Sequence, residues 1–274
     1  MADIASPAMA AGSDRKVLAL QVVVGIMLGL KLCFDFGLHP LGDEAYYWLW
    51  GQRLDFSYLD HPPLNAWLQA LVAKVFGWNV LSLRLLTWVS LLGTLGIFRI
   101  WAKRLSGEDW RGTFWAISAV YLCSPVIFFM STVAFNDHLM MFLCIVSAHF
   151  FLDFAVRLSD GEAPRYRSFY AAAVALGLAG LAKYDAIFMA VGLFGLVLLR
   201  PRLRALLRTP HPYLAMAICV AIQTRCFTGT SVTALPPTAT ISTAASIRRG
   251  CSAFRPGAAA PISWRPASRC FLRS

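Results

Sequence analysis

The residues best suited to chemistry cluster in one polar segment of an otherwise apolar chain. Residues 41–65 read L-G-D-E-A-Y-Y-W-L-W-G-Q-R-L-D-F-S-Y-L-D-H-P-P-L-N, so Asp43-Glu44 comes first and Asp60-His61 follows an aromatic stretch. A carboxylate beside a lipid-accessible groove can deprotonate a hydroxyl or bind a divalent metal that steadies a phosphate. The same residue types also have structural uses. Asp43 suits the cap of a following helix, Tyr46, Tyr47, Trp48 and Trp50 suit an interfacial belt, and Pro62-Pro63 stiffens a turn. Further on stand Arg84, the pair Asn136-Asp137 and the triplet Lys183-Tyr184-Asp185. Asp137 can act chemically or cap a helix. Arg84 and Lys183 are cations at or near membrane depth, where charge is costly unless paired or functional. Phosphate binding and snorkelling to the interface are their two outlets.

The elements that position these residues are predicted to be membrane helices. The 274 residues are 58% hydrophobic and 14% charged, with mean hydropathy +0.60; a soluble domain carries about a quarter charged residues. An apolar run from about 17 to 39 is long enough to cross the hydrocarbon core and lacks a small-residue cleavage site, so it reads as an anchor. Others lie near 80–101, 112–130, 138–156, 169–182, 186–199 and 211–222, the last too short to span alone, which predicts about six to seven spans. The fifth and sixth runs, broken at 183–185, are either two spans with a tight turn or re-entrant helices. The predicted architecture is all-α and polytopic. Residues 1–16 form an N-terminus, 17–224 a membrane domain and 40–79 a loop containing two helices, the second over 64–76.

Basic residues orient the chain. Arg15, Lys16, Arg99, Lys103, Arg104, Arg111, Arg157, Arg165, Arg167, Arg200, Arg202, Arg204 and Arg208 fall on one predicted side, which is therefore cytoplasmic. The 40–79 loop, the 131–137 turn and the 183–185 turn face the other side. The net charge of +11 does not indicate nucleic acid, because nothing builds a basic stripe on one folded face. The seven Cys are scattered without metal-ligand or redox spacing.

D-E-A-Y-Y at 43–47 followed by L-D-H-P-P-L at 59–64 resembles the bacterial members of glycosyltransferase family 39. These are related to protein O-mannosyltransferases and to enzymes that add aminoarabinose or galacturonic acid to lipid A. The likeness continues through Arg84, Asn136-Asp137 and G-L-A-G-L-A-K-Y-D-A at 177–186, and covers about 17–224. The resemblance implies a GT-C fold with a catalytic first outer loop. It also implies transfer of a sugar from a polyprenyl-phosphate carrier to a lipid, glycan or protein acceptor, with inversion at the anomeric carbon. By resemblance Asp43 is the catalytic base, Glu44 supports it and Asp137 lines the same pocket. His61, Arg84, Lys183 and Tyr184 would face the donor phosphate, and Asp60 would hold a divalent metal if one is used. At 61 relatives carry Lys, so here the charge depends on pH. The expected location is the bacterial inner membrane, N-terminus cytoplasmic and catalytic loop periplasmic.

At Thr224 the composition changes. Residues 225–274 contain seven Arg and no Lys, Asp or Glu; without them 18 basic and 14 acidic residues remain. Composition alone reads as a disordered tail. Relatives continue here with Q-T-P-x-x-x-W-N. A shift of reading frame from Arg225 permits Pro-Val-Leu-Tyr-Trp-Asn, which fits that pattern. Residues 225–274 are therefore expected to be a frameshift product, and the chain as written an inactive one. Two other functions also place charge in membrane helices. A transporter would show inverted repeats and helices broken near the midplane, and none is evident. A non-catalytic scaffold would not need Asp43.

Overall fold

A computed structural model describes residues 7–58 and 61–229. The described residues are all helix and connector, as expected, with no strand among them. The helices are α1 (Pro7–Gly37), α2 (Gly42–Gln52), α3 (Leu64–Phe76), α4 (Val80–Leu105), α5 (Trp110–Cys123), α6 (Pro125–Thr132), α7 (Asn136–Asp160), α8 (Tyr166–Ala182), α9 (Ile187–Leu199), α10 (Pro201–Arg204) and α11 (His211–Gly229).

Three helices among the described residues are long and apolar enough to cross a membrane: Asp14–Gly37 within α1, α4 and α7. Two bent pairs raise the number to five if each counts as one span. The run expected as one span at 112–130 is the first such pair, α5 and α6, which meet at 79°. Pro125 explains the break. It has no N–H to donate to the turn before it, and it pushes Ser124 into an extended conformation (φ −68°, ψ 116°). The second pair turns by 103° between α9 and α10, again at a proline, Pro201. The six to seven spans read from hydropathy thus include broken helices and one helix, α8, of only 17 residues. The Lys183–Asp185 break is a 3-10 turn over Tyr184–Ala186.

Local signals account for several boundaries. Asn79 caps α4: its Oδ1 accepts the Ser82 N–H at 2.9 Å, and Ser82 Oγ accepts the Asn79 N–H at 3.2 Å. α7 stops at Gly161, whose φ of +79° suits the left-handed C-cap. Glycines also let α8 and α11 touch. A Cβ at Gly177 would stand 2.7 Å from Ile222 Cδ1 and 3.3 Å from Cys219 Cα.

Two apolar clusters hold the bundle. Val24, Leu91, Phe98, Tyr121 and Leu122 join α1, α4 and α5. Phe151, Phe154, Phe169, Leu203 and Leu206 join α7 and α8 to the α10 region. The basic segments gather at one end, where Asp153 accepts from Arg104 at 3.2 Å and from Ser168 at 2.8 Å, with Arg157 and Arg165 each at 3.9 Å. α11 is longer than the 211–222 run and continues five residues past the composition change. Of the expected tail, 230–274 lies outside the described residues.

Candidate functional site

The first turn of α2 separates the two adjacent carboxylates. Glu44 is fully buried and accepts four hydrogen bonds. Arg84 Nε reaches its Oε1 at 3.0 Å and Arg84 Nη2 its Oε2 at 2.9 Å, a bidentate pair. The Leu41 N–H donates to Oε2 at 2.9 Å and the Ala134 N–H to Oε1 at 2.8 Å. Asp43 is exposed and has no hydrogen bond or ion pair to any described residue. The cap expected of Asp43 is not formed. Leu41 is the N-cap, and the carboxylate that satisfies its N–H is Glu44, three residues on. Asp43 sits one position inside the helix, where its charge faces the positive end of the helix dipole.

Arg84 is 1% exposed. Besides Glu44 it serves the end of α1, its Nη1 donating to the carbonyls of Phe34 and Asp35 at 3.1 Å and of Leu38 at 3.3 Å. These are orphan carbonyls of a helix C-terminus, the place where a cation is favoured. Every guanidinium nitrogen is therefore occupied by protein.

A second polar group stands at the start of α7. Lys183 Nζ donates to Asp137 Oδ1 at 2.6 Å and lies 3.4 Å from Asp185 Oδ2. Lys183 is 24% and Asp137 25% exposed, so this pair is open to solvent on one side. Burial disfavours the Lys183 ammonium, but the hydrogen bond and charge of Asp137, reinforced by Asp185, outweigh it and raise its pKa above that of a free lysine. Asp137, like Asp43, is not the cap of its helix: Phe135 is. Tyr184 extends its hydroxyl to within 3.4 Å of Cys226 Sγ on α11.

Three contacts join the two groups. Ala134 N–H reaches Glu44, Tyr47 meets Phe135 edge-on at 6.4 Å, and Asn65 on α3 hydrogen-bonds Asn136 beside Asp137. His61 is partly buried against Tyr47 and Trp50, at ring distances of 5.6 and 5.8 Å. Trp50 in turn stacks on Tyr58 at 4.5 Å. Asp60 lies outside the described residues, so the metal expectation that rests on it does too. Among the described residues no group of three or more His, Cys, Asp or Glu side chains is placed to hold a metal.

Sequence reasoning passed over Lys31 and Asp35, which are 0% and 2% exposed inside α1. Lys31 Nζ is 3.1 Å from both Asp35 Oδ2 and Thr87 Oγ1, and it lies 4.5 Å over the Trp88 ring. Trp88 Nε1 donates to Asp35 Oδ2 at 2.6 Å. The signal was available: opposite charges four residues apart within an apolar run of spanning length. Through the Asp35 carbonyl this pair abuts Arg84, so a continuous polar path runs from the last two turns of α1 to the first turn of α2.

The described residues thus form an all-helical bundle with helices of membrane-spanning length, an unpaired carboxylate at Asp43 and an ion-paired cation at Lys183. Residues 60–224 match the family described as dolichyl-phosphate-mannose-protein mannosyltransferase, and the chain belongs to that family. It is also similar to the lipid A galacturonosyltransferase RgtD of Rhizobium johnstonii (strain DSM 114642 / LMG 32736 / 3841), at 29% identity over 213 residues. The match covers 74% of this chain and 41% of that relative, so the chain spans about two fifths of the length of the curated protein it matches. No solved structure matches it. The family is the one expected from the D-E-A-Y-Y and L-D-H-P-P-L motifs.

Proposed function

We propose that these residues carry the reacting end of a glycosyltransferase that moves a sugar from a polyprenyl-phosphate carrier to an acceptor hydroxyl on an envelope lipid or glycan. Lipid A is the acceptor class that the name of the similar relative suggests. The observation that carries the reading is the division of labour between neighbours: Glu44 is saturated by Arg84 and two backbone N–H groups, whereas Asp43 is free. Asp43 accepts the acceptor's proton as the oxygen attacks the anomeric carbon. The bond from that carbon to the phosphate oxygen breaks, and the lipid phosphate leaves without needing a proton. A positioned base of this kind is worth about 10²- to 10⁴-fold in rate.

Lys183 is the cation available to screen the developing phosphate charge. Asp137 holds it in place, and Tyr184 and His61 flank the same end of the bundle. Arg84 takes a positioning role in this reading, because its donors are consumed by Glu44 and the end of α1. A divalent metal at Asp60 would add a further positive charge. Catalysis on the periplasmic face of a bacterial inner membrane agrees with the gathering of basic segments at the opposite end.

Membranes carrying the chain as given, and in parallel its frame-corrected gene, are supplied with a labelled polyprenyl-phosphate sugar. Transfer to a lipid fraction by the frame-corrected protein, lost at least about 100-fold in its Asp43→Asn variant, is the expected result, with no transfer by the chain as given. An Asp43→Asn protein as active as its parent would end the proposal.

A further inference from the structure

At the basic end of the bundle three cations converge on one indole. Arg99 Cζ lies 5.6 Å, Lys103 Nζ 4.8 Å and Arg111 Cζ 5.7 Å from the centroid of the Trp110 ring. Arg99 and Lys103 are four residues apart near the end of α4, so they share a face, an arrangement of like charges that destabilises a helix. Arg111 begins α5 on the other side of the turn. None of the three forms an ion pair among the described residues, and all three are exposed. The neighbouring basic residues behave differently: Arg104, Arg157 and Arg165 all lie against Asp153. Glu108 and Asp109 occupy the connecting turn, yet neither pairs with the three cations. Aromatic faces attract cations, so Trp110 gathers the three charges without neutralising them, and an anion from outside would find three unpaired cations around one ring.

The place decides which anion. α4 is a membrane-spanning helix and Lys103 lies two residues from its end. Trp110 is partly buried at the start of the next apolar helix, the level at which indoles sit at the membrane–water interface. We infer that Arg99, Lys103 and Arg111, arranged around Trp110, form a binding site for the phosphate of an anionic phospholipid headgroup. The site is remote from the carboxylate end and independent of the transfer reaction.

The full chain is purified in detergent and titrated with phosphatidylglycerol, phosphatidylcholine or inorganic phosphate. Retained lipid is read by native mass spectrometry and the shift of the unfolding temperature is recorded. One phosphatidylglycerol is expected to be retained and to raise the unfolding temperature, with no comparable effect of the other two. Each cation is worth about fivefold in affinity near a membrane surface, so Arg99→Gln/Lys103→Gln/Arg111→Gln should weaken retention about 100-fold. Arg111→Gln alone, the mildest change, should weaken it about fivefold and covers the case in which the triple variant misfolds. Arg200→Gln/Arg202→Gln/Arg208→Gln removes the same charge from other exposed positions at that end and should leave retention within about threefold. Equal losses in the two triple variants would show diffuse attraction and overturn the site. So would binding of phosphatidylcholine as strong as that of phosphatidylglycerol, or displacement of the lipid by equimolar inorganic phosphate.

Discussion

Glu44 and Ala134 are 90 residues apart in the chain, yet the Ala134 N–H donates to Glu44 Oε1 at 2.8 Å. The contact ties the first turn of α2 to the connector before α7, and so ties the segment bearing Asp43 to the segment bearing Asp137. The same Glu44 oxygen accepts from Arg84. One buried side chain therefore fixes the relation between the two ends of the candidate site.

Removing one partner of that pair leaves the other as an uncompensated buried charge. Arg84→Leu or Glu44→Leu should cost about 3–5 kcal/mol. The double variant should lose less than the sum of the two, because neither charge is then stranded. Thermal unfolding of the purified protein in detergent measures all three.

The Lys31–Asp35 pair follows the same logic within α1. Lys31→Met and Asp35→Asn should each lower the unfolding temperature, and the combined variant should recover a large part of the loss. Trp88→Phe should be milder, since it removes one hydrogen bond to Asp35 and keeps most of the ring packing. Equal unfolding temperatures for all four variants would show that the pair is energetically silent.

Lys183 sets a pH expectation. Its pKa is raised above 10.5, so the charge, and the stability it contributes, is fully present below the ordinary lysine value and is lost only as pH rises through the raised one. Activity and stability between pH 6 and pH 9 should therefore show no limb that Lys183→Arg shifts. Lys183→Met should depress donor-dependent transfer at every pH in that range. A wild-type limb near neutrality that disappears in Lys183→Met would contradict the assignment.

Gly177 holds α8 against α11. Gly177→Leu should drive the helices apart, because the first added carbon already meets Ile222 and the backbone of Cys219. Gly180→Ala should be tolerated better, since the atom it meets is the end of the flexible Gln223 side chain, 2.5 Å from the added carbon. The expected ordering, with Gly177→Leu costing more, is read from unfolding temperature and from cross-linking of cysteine pairs placed on the two helices.

Sequencing of the gene around codon 224 should reveal an adjacent register that encodes Trp-Asn in the expected place. A single clean frame would leave residues 225–274 as a genuine arginine-rich segment.

Much of this was legible in the sequence, and the limits have physical causes. Hydropathy located α1, α4 and α7 because a span of about 20 apolar residues is a long, redundant signal. It merged α5 with α6 because averaging over such a window hides the single atom that Pro125 removes. The motif D-E-A-Y-Y drew notice to Asp43 and Glu44 together, but residue types could not say which carboxylate was free. That depends on Arg84 and Ala134, 40 and 90 residues away from Glu44. Arg84 read as either a phosphate ligand or a snorkelling cation because a sequence shows no partner for it; in three dimensions it meets Glu44 and the end of α1.

The grip of Arg84 also bears on movement. Its Nη1 holds the carbonyls of Phe34, Asp35 and Leu38, while its Nε and Nη2 hold Glu44 at the start of α2. The end of one helix, the beginning of the next and the short link between them thus form one stiff corner. Asp43 therefore stands on a rigid support rather than on a free loop: its place is set through its neighbour Glu44, whose two oxygens are held by Arg84.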